Sequence, residues 1–351
     1  MGGSDATERM QPPSLRDVAR LANVSVMTVS NVINGRTARV GKDVAQRVHE
    51  VIEEIGYRPQ RRGRSLRLQR EFAIGLTIMH PDRRFLDDPY ITQVAAGMSN
   101  FLATIGYGLM VNGVQDLKDL ETATRRVASF DGLAVMVSGQ RSERNQAYRI
   151  LSKLHCPMLI VQDTPPRGMG AVSSVLQDDR GGAFRLARSL IDLGARRILL
   201  VVPSQSWPAV ERRRDGILDA AAGHAEVDCL SCDEADFDKT IETIVRYLGQ
   251  DQVPDAIMGA NDQIGVAAIS AAKRCGLSVP KDIMVTGFNA FWFRNLSSPL
   301  LTSVTSPAYE IGQEAGRALI ARVEQEGGPG QHLVLSVEIA NGGTLRRVNR
   351  R

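Results

Sequence analysis

Three groups of residues in this 351-residue chain have types and spacings suited to recognition chemistry. The first is Val26, Met27, Ser30 and Asn31, with Asn34 just beyond, in the segment SVMTVSNVING. Apolar side chains beside an amide suit the DNA major groove, where they meet thymine methyls and an Asn bonds adenine N6 and N7. The second is a run of six arginines from Arg58 to Arg70 with no acid among them. Such a block is either a solvated face or the footprint of a polyanion partner. The third is a set of acids and amides, Asp88, Gln162 and Asp163, Asp178 and Asp179, Asn261 and Asp262, and Asn289, together with Arg213. The acids and amides fall at the ends of expected strands, where open α/β sheets gather polar groups round a ligand. The same junctions favour Asp and Asn as helix caps.

Charge separates the first group from the third. Residues 1–70 hold 13 Lys and Arg against 7 Asp and Glu, whereas the rest of the chain holds 30 against 32. With 43% hydrophobic and 23% charged residues, the chain has the composition of a globular protein of two or three domains. No stretch approaches the ~20 apolar residues of a membrane span. The opening MGGSDATERMQPPS lacks the apolar run of a secretory signal, and four cysteines do not make a disulfide framework. A cytoplasmic protein is expected.

The elements that position the first group are three short helices. Ser14 is a good N-cap for Leu15–Ala22, and Asn23 suits the left-handed turn that follows. Ser25 caps a second helix, Val26 to Ile33, with Val29, Val32 and Ile33 facing inward. Ala19 at the crossing, Asn23 in the turn and Val29 beyond it form the helix-turn-helix spacing. A third helix, Lys42–Ile55, carries Val44, Val48, Val51, Ile52 and Ile55 on one face and stops at Gly56. Val26, Met27, Ser30 and Asn31 then point away from the shared core.

The segments DVARLANVSVMTVSNVING, EEIGYRP and RSLR, in that order, resemble the headpiece and hinge of the LacI/GalR family of bacterial transcriptional regulators. The resemblance implies a dimer that lays the second helix of each headpiece in the major groove. It also implies a hinge helix that folds on DNA and wedges Leu66 into the minor groove, at the energetic cost of unstacking a base step. The DNA-contacting residues implied are Ser25, Val26, Met27, Thr28, Ser30, Asn31, Asn34, Arg39, Arg61, Arg64 and Leu66. Two departures matter. Asn31 stands where the family usually has Arg, so a different base is read there. In the hinge, Gly63 and the neighbouring Arg61, Arg62 and Arg64 disfavour a free helix, which phosphates would stabilise by neutralising the arginines.

From Phe72 onward strand and helix signals alternate, which argues for parallel sheets covered on both faces by helices. The expected organisation is an all-α helix-turn-helix headpiece (13–59) after a disordered tail (1–12). A hinge helix (60–70) then leads to an α/β domain of two doubly wound parallel-sheet lobes (71–351). The Pro165-Pro166-Arg167-Gly168 break is taken to divide the lobes, lobe 1 being 71–164 plus 291–325 and lobe 2 being 165–290 plus 326–347.

The resemblance continues through this region in DPYI, Asp178-Asp179, Arg213-Arg214-Asp215-Gly216, AND (260–262), VTGFNAF (285–291) and Pro299-Leu300-Leu301-Thr302. It implies a periplasmic-binding-protein-like effector domain. The effector residues implied are Tyr90, Gln162, Asp178, Arg213, Asp262 and Asn289. Trp292 is a further candidate, for stacking on a sugar face. Asn289 and Gln162 stand where the family often has Asp, which removes negative charge. A neutral sugar fits, and a sugar acid or phosphate becomes easier to seat beside Arg213.

Enzyme motifs are absent: there is no G-x-G-x-x-G after a strand, no P-loop and no G-x-S-x-G. Cys229-Leu230-Ser231-Cys232 lacks a second ligand pair and reads as loop cysteines. No cofactor or metal is expected. The carboxyl end, GGTLRRVNRR, has no leucine heptads, so a homodimer rather than a tetramer is expected. A sugar-binding transport protein and a nucleotide-dependent enzyme are the competing classes. The basic headpiece and the missing signal speak against the first, and the missing phosphate loop speaks against the second.

Overall fold

The structure is a computed structural model that describes residues 13–33, 35–36, 40–57, 70–126, 130–250, 253–325 and 328–348. The expected tail (1–12) and the expected DNA contacts Asn34, Arg39, Arg61, Arg64 and Leu66 lie outside these residues, as does almost all of the expected hinge. The chain forms two compact units, residues 1–70 and 71–351.

The first unit holds α1 (Leu15–Leu21), α2 (Val26–Ile33) and α3 (Lys42–Glu54). Ser14 and Asp17 close a capping box at the start of α1, satisfying two backbone donors that a helix end leaves open. Asn23 takes the left-handed conformation (φ 51°) that turns α1 into α2. Val18, Ala19, Ala22, Val29, Val32, Val48, Val51 and Tyr57 form the buried core.

The second unit has two parallel sheets, as expected. The larger is ordered β11-β5-β4-β3-β1-β2 and the smaller β7-β6-β8-β9. In the first sheet these are β1 (Ala73–Met79), β2 (Gly108–Val114), β3 (Gly132–Val137), β4 (Met158–Val161), β5 (Ser173–Gln177) and β11 (His332–Leu335). In the second they are β6 (Arg197–Pro203), β7 (Glu226–Cys232), β8 (Ala256–Gly259) and β9 (Met284–Thr286). The interior strands β1 and β6 are buried along most of their length, because helices cover both faces.

The lobe boundary differs from expectation. β5 pairs with β4 in parallel and so belongs to the first lobe. The Pro165–Gly168 break is therefore a loop within that lobe, and the chain crosses only after Gln177. β10 (Ser303–Val304) stays with the second lobe, where it pairs with β12 (Ile339–Ala340) and Val304 is core. The return crossing follows it, into α11 (Ala308–Glu324) on the first-lobe core. β11 then adds an edge strand to the first sheet before Val337 re-enters the second core.

A further correction concerns Cys229 and Cys232, which lie on the edge strand β7 rather than in a loop. That strand is largely solvent-exposed, so its sequence, EVDCLSC, carries no apolar run to reveal it. Among the described residues no group of three or more His, Cys, Asp or Glu is placed to hold a metal ion. No described helix is long and apolar enough to cross a membrane.

Candidate functional site

On the first unit the outward face of α2 is apolar where a solvated helix would be polar. Val29 and Val32 are buried inward, while Val26 is 42% and Met27 70% exposed, with Ser30 and Asn31 half-buried beside them. Ser25 accepts the Thr28 amide hydrogen at 3.0 Å, and its Oγ lies 2.8 Å from Thr28 Oγ1. These two hydroxyls thus order the amino end of the helix, where backbone N–H groups favour an anionic partner such as a phosphate.

In the second unit, a cavity between the lobes collects residues from segments distant in sequence. From the first lobe come Asp88, Tyr90 and Gln162; from the second come Trp207, Arg213, Glu234, Asn261, Asp262 and Asn289, with Phe291 and Phe293. Strand ends supply most of them. Asp88 caps α4 (Pro89–Thr104), accepting from the Tyr90 amide at 2.7 Å and the Ile91 amide at 3.3 Å. Asn261 caps α10 (Asp262–Arg274), and its amide donates to Glu234 Oε2 at 2.6 Å.

Arg213 is the centre of the polar network. It lies in α8 (Pro208–Ala221), which packs closely on α7 (Asp179–Asp192): a Cβ added at Gly216 would stand 2.1 Å from the Arg180 carbonyl. That approach brings the 4% exposed Arg213 within reach of Asp179. Its Nε donates to Asp179 Oδ1 at 2.9 Å, Nη1 to the Ala260 carbonyl at 2.6 Å and Nη2 to Asn289 Oδ1 at 3.0 Å. The guanidinium sits 3.8 Å over the Phe288 ring. Asn289 holds its position through a left-handed backbone (φ 105°).

Asp262 is fully buried. It accepts the Phe291 amide hydrogen at 2.8 Å and a short bond from the Ser303 hydroxyl. Burial pushes its carboxyl up to about 7, against the hydrogen bonds that favour the charged form. Burial also pushes Glu234 up to about 7, reinforced by the nearby Asp88 carboxylate.

Direct bonds join the two lobes. Arg144, on α6 (Arg141–Leu151) and 2% exposed, makes two bonds to Glu211 of the other lobe, at 2.8 and 2.9 Å. It also bonds Asp163 at 3.0 Å. Burial works to raise the Glu211 carboxyl, but the bonds from Arg144 and Ser206 outweigh it and hold it below its usual range. Arg212 Nη2 donates to the Gln162 carbonyl at 2.6 Å, and Gln205 to Ser138 Oγ at 2.8 Å.

Tyr90, Gln162, Arg213, Asp262 and Asn289 are therefore brought together at one cavity. Asp178 and Trp292 are not. Asp178 caps α7, accepting the Gly181 amide hydrogen at 2.9 Å and pairing with Arg185 at 3.2 Å, while its neighbour Asp179 turns inward. A helix starting directly after β5 makes the first Asp the cap and the second the inward residue, which is the signal that separates them. Trp292 is 69% exposed, stacked edge-on against Phe293. The aromatic walls are Trp207, Phe291 and Phe293 instead. No local pattern marks Glu234 or the Arg144–Glu211 pair, whose members lie 67 residues apart in sequence.

A helix-turn-helix unit ahead of a two-lobed domain with a polar interlobe cavity defines a DNA-binding protein of the ligand-responsive class. Comparison with known proteins narrows the class. Residues 14–60 match the model for bacterial regulatory proteins of the lacI family, and residues 187–345 match the periplasmic binding protein-like domain. The chain is 30% identical over 329 residues to the HTH-type transcriptional repressor PurR of Aliivibrio fischeri, spanning 89% of this chain and 92% of that one. It is similar to the solved transcriptional regulator CelR–cellobiose complex, with a TM-score of 0.70 and 26% identity over 95% of this chain and 99% of that one. It shares the fold of the lac repressor dimer bound to operator and the anti-inducer ONPF, with a TM-score of 0.81 and 21% identity over 95% and 99% of the two chains. The chain belongs to the lacI family of bacterial regulatory proteins and is a DNA-binding transcriptional regulator.

Proposed function

We propose that the protein is a cytoplasmic repressor without enzymatic activity that acts as a homodimer on a palindromic operator. In this reading each copy reads the major groove with Val26, Met27, Ser30 and Asn31 of α2. A small polyhydroxyl effector in the interlobe cavity controls the affinity for DNA. The observation that carries the DNA role is the exposed apolar face of α2, which has no use on a solvated surface but suits a groove floor. The cellobiose complex of CelR and the operator complex of the lac repressor supply the analogy for the two ligands.

The mechanism is linkage between sites. An effector that binds the closed lobes better than the open ones shifts their relative angle, and the shift changes how two headpieces reach one operator. Effector and operator must then alter each other's affinity by the same factor. The test is fluorescence anisotropy of operator DNA with the full-length protein and its Asn31→Ala variant. The reading expects the variant to lose specific binding while keeping salt-dependent non-specific binding. Equal specific binding by both proteins contradicts it.

A further inference from the structure

Asp88 and Glu234 face the cavity from opposite lobes, and neither forms an ion pair among the described residues. Asp88 accepts hydrogen bonds on Oδ1 alone, and Glu234 accepts on Oε2 alone. One oxygen of each carboxylate is thus left for a donor from elsewhere. The other acids at the cavity mouth are better compensated. Arg84 lies 3.6 Å from Asp82 and 3.8 Å from Asp87, and Lys239 lies 3.7 Å from Asp233.

Arg213 favours the charged form of both carboxylates through its field but bonds neither. Among the described residues it is the one cation lining the inner cavity, and Asp179 pairs with it at 2.9 Å while the Ala260 carbonyl and Asn289 take up its remaining edges. The anion anticipated beside Arg213 would instead meet two carboxylates that no cation bonds, and like charges in a dry site repel strongly.

A second observation points to a ligand in the same place. The Tyr90 hydroxyl lines this cavity on a residue 4% exposed and meets no partner in good hydrogen-bond geometry, with only the Gln162 side chain close enough to act on it as a weak one. A buried hydroxyl left unpaired is unfavourable, so a polar group of the ligand is expected there. Trp207, Phe291 and Phe293 add apolar faces that suit both a sugar ring and a cation.

We propose that the effector is an amine-bearing sugar whose ammonium group sits between the carboxylates of Asp88 and Glu234. The proposal rests on the effector reading of the cavity given above. An ammonium is donor-only, supplies bonds to both free oxygens and removes the repulsion that closing the lobes creates. The aromatic walls take the ring, and the Tyr90 hydroxyl meets a ring substituent.

The test is isothermal titration of the full-length protein at pH 7.5 with matched probes: glucose, galactose and mannose, their 2-amino sugars, and their uronates. At least one amino sugar should bind about tenfold or more tightly than its parent hexose, equivalent to about 1.4 kcal/mol, and no uronate should bind. Glu234→Gln and Asp88→Asn should each reduce the preference for the amino sugar over its parent hexose several-fold. A uronate that binds as tightly as the amino sugar, or a preference unmoved by both substitutions, overturns the proposal and leaves the effector reading standing. Binding of no probe overturns both.

Discussion

The two units build recognition from opposite materials. The headpiece presents side chains left exposed: Val26 and Met27 stand outside the unit's buried core. The interlobe cavity is built on a network of buried polar groups, with Arg213 sharing bonds with Asp179, Ala260 and Asn289. Substitutions in the first should therefore alter binding without altering stability. Substitutions in the second should alter both, since a buried polar group that loses its partner destabilises the fold.

The largest effect tests that contrast from the cavity side. Arg213→Ala leaves the buried Asp179 with only Gln177 and the more distant Arg212. It should lower unfolding free energy by about 3 kcal/mol and abolish the effector response. Urea titration reads the first outcome and operator anisotropy the second. Unchanged stability would show that the network is not a unit. From the headpiece side, Val26→Ala and Met27→Ala should each weaken specific operator binding about tenfold, with the melting temperature held within a degree or so. A fall in melting temperature with intact binding would reverse the contrast.

A smaller effect sharpens the role of lobe closure. Glu211→Ala removes two bonds to Arg144, but Asp163 still pairs with that guanidinium and the Glu211 side chain is partly solvated. The expected loss is about 1–2 kcal/mol by urea titration, with weaker effector binding because the closed form is less populated. A stabilised variant would show that the pair opposes closure.

The smallest effect is one of pH. Glu234 and Asp262 are both pushed up to about 7, chiefly by burial. The stability linked to these protons is present at low pH and is lost as the pH rises through about 7. Urea midpoints between pH 5 and 8 should therefore decline, and Glu234→Gln should flatten part of the decline. A profile that rises over this range in the variant and the parent alike would contradict the burial assigned to these groups.

The same contrast explains what was legible in the sequence. In the headpiece, cap, turn and core lie within a few residues of one another, so Ser14, Asn23 and Val29 announce the helices and leave the outward face to be read by subtraction. In the second unit the alternating pattern reveals the paired sheets, yet the lobe boundary depends on which strand β5 joins, and that is a pairing choice no local residue declares. The cavity was half legible. Strand-end positions bring Gln162, Asp262 and Asn289 to its wall, because βα junctions converge on one edge of a parallel sheet. Asp178 lies off the cavity by one residue of helix register, and Trp292 by opening a short 3-10 helix that leaves its side chain exposed. Glu234 was missed because it follows an exposed edge strand without a hydrophobic signal.

The central claim is that α2 reads DNA sequence through its exposed face. The most direct measurement is selection of bound sequences from random duplex DNA by the full-length protein, repeated with Asn31→Arg. The expected result is an enriched palindrome for the parent and, for the variant, a changed base at one symmetric pair of positions with the rest of the motif kept. Absence of an enriched motif, or the same motif from both proteins, would contradict the assignment of α2 as the reading element.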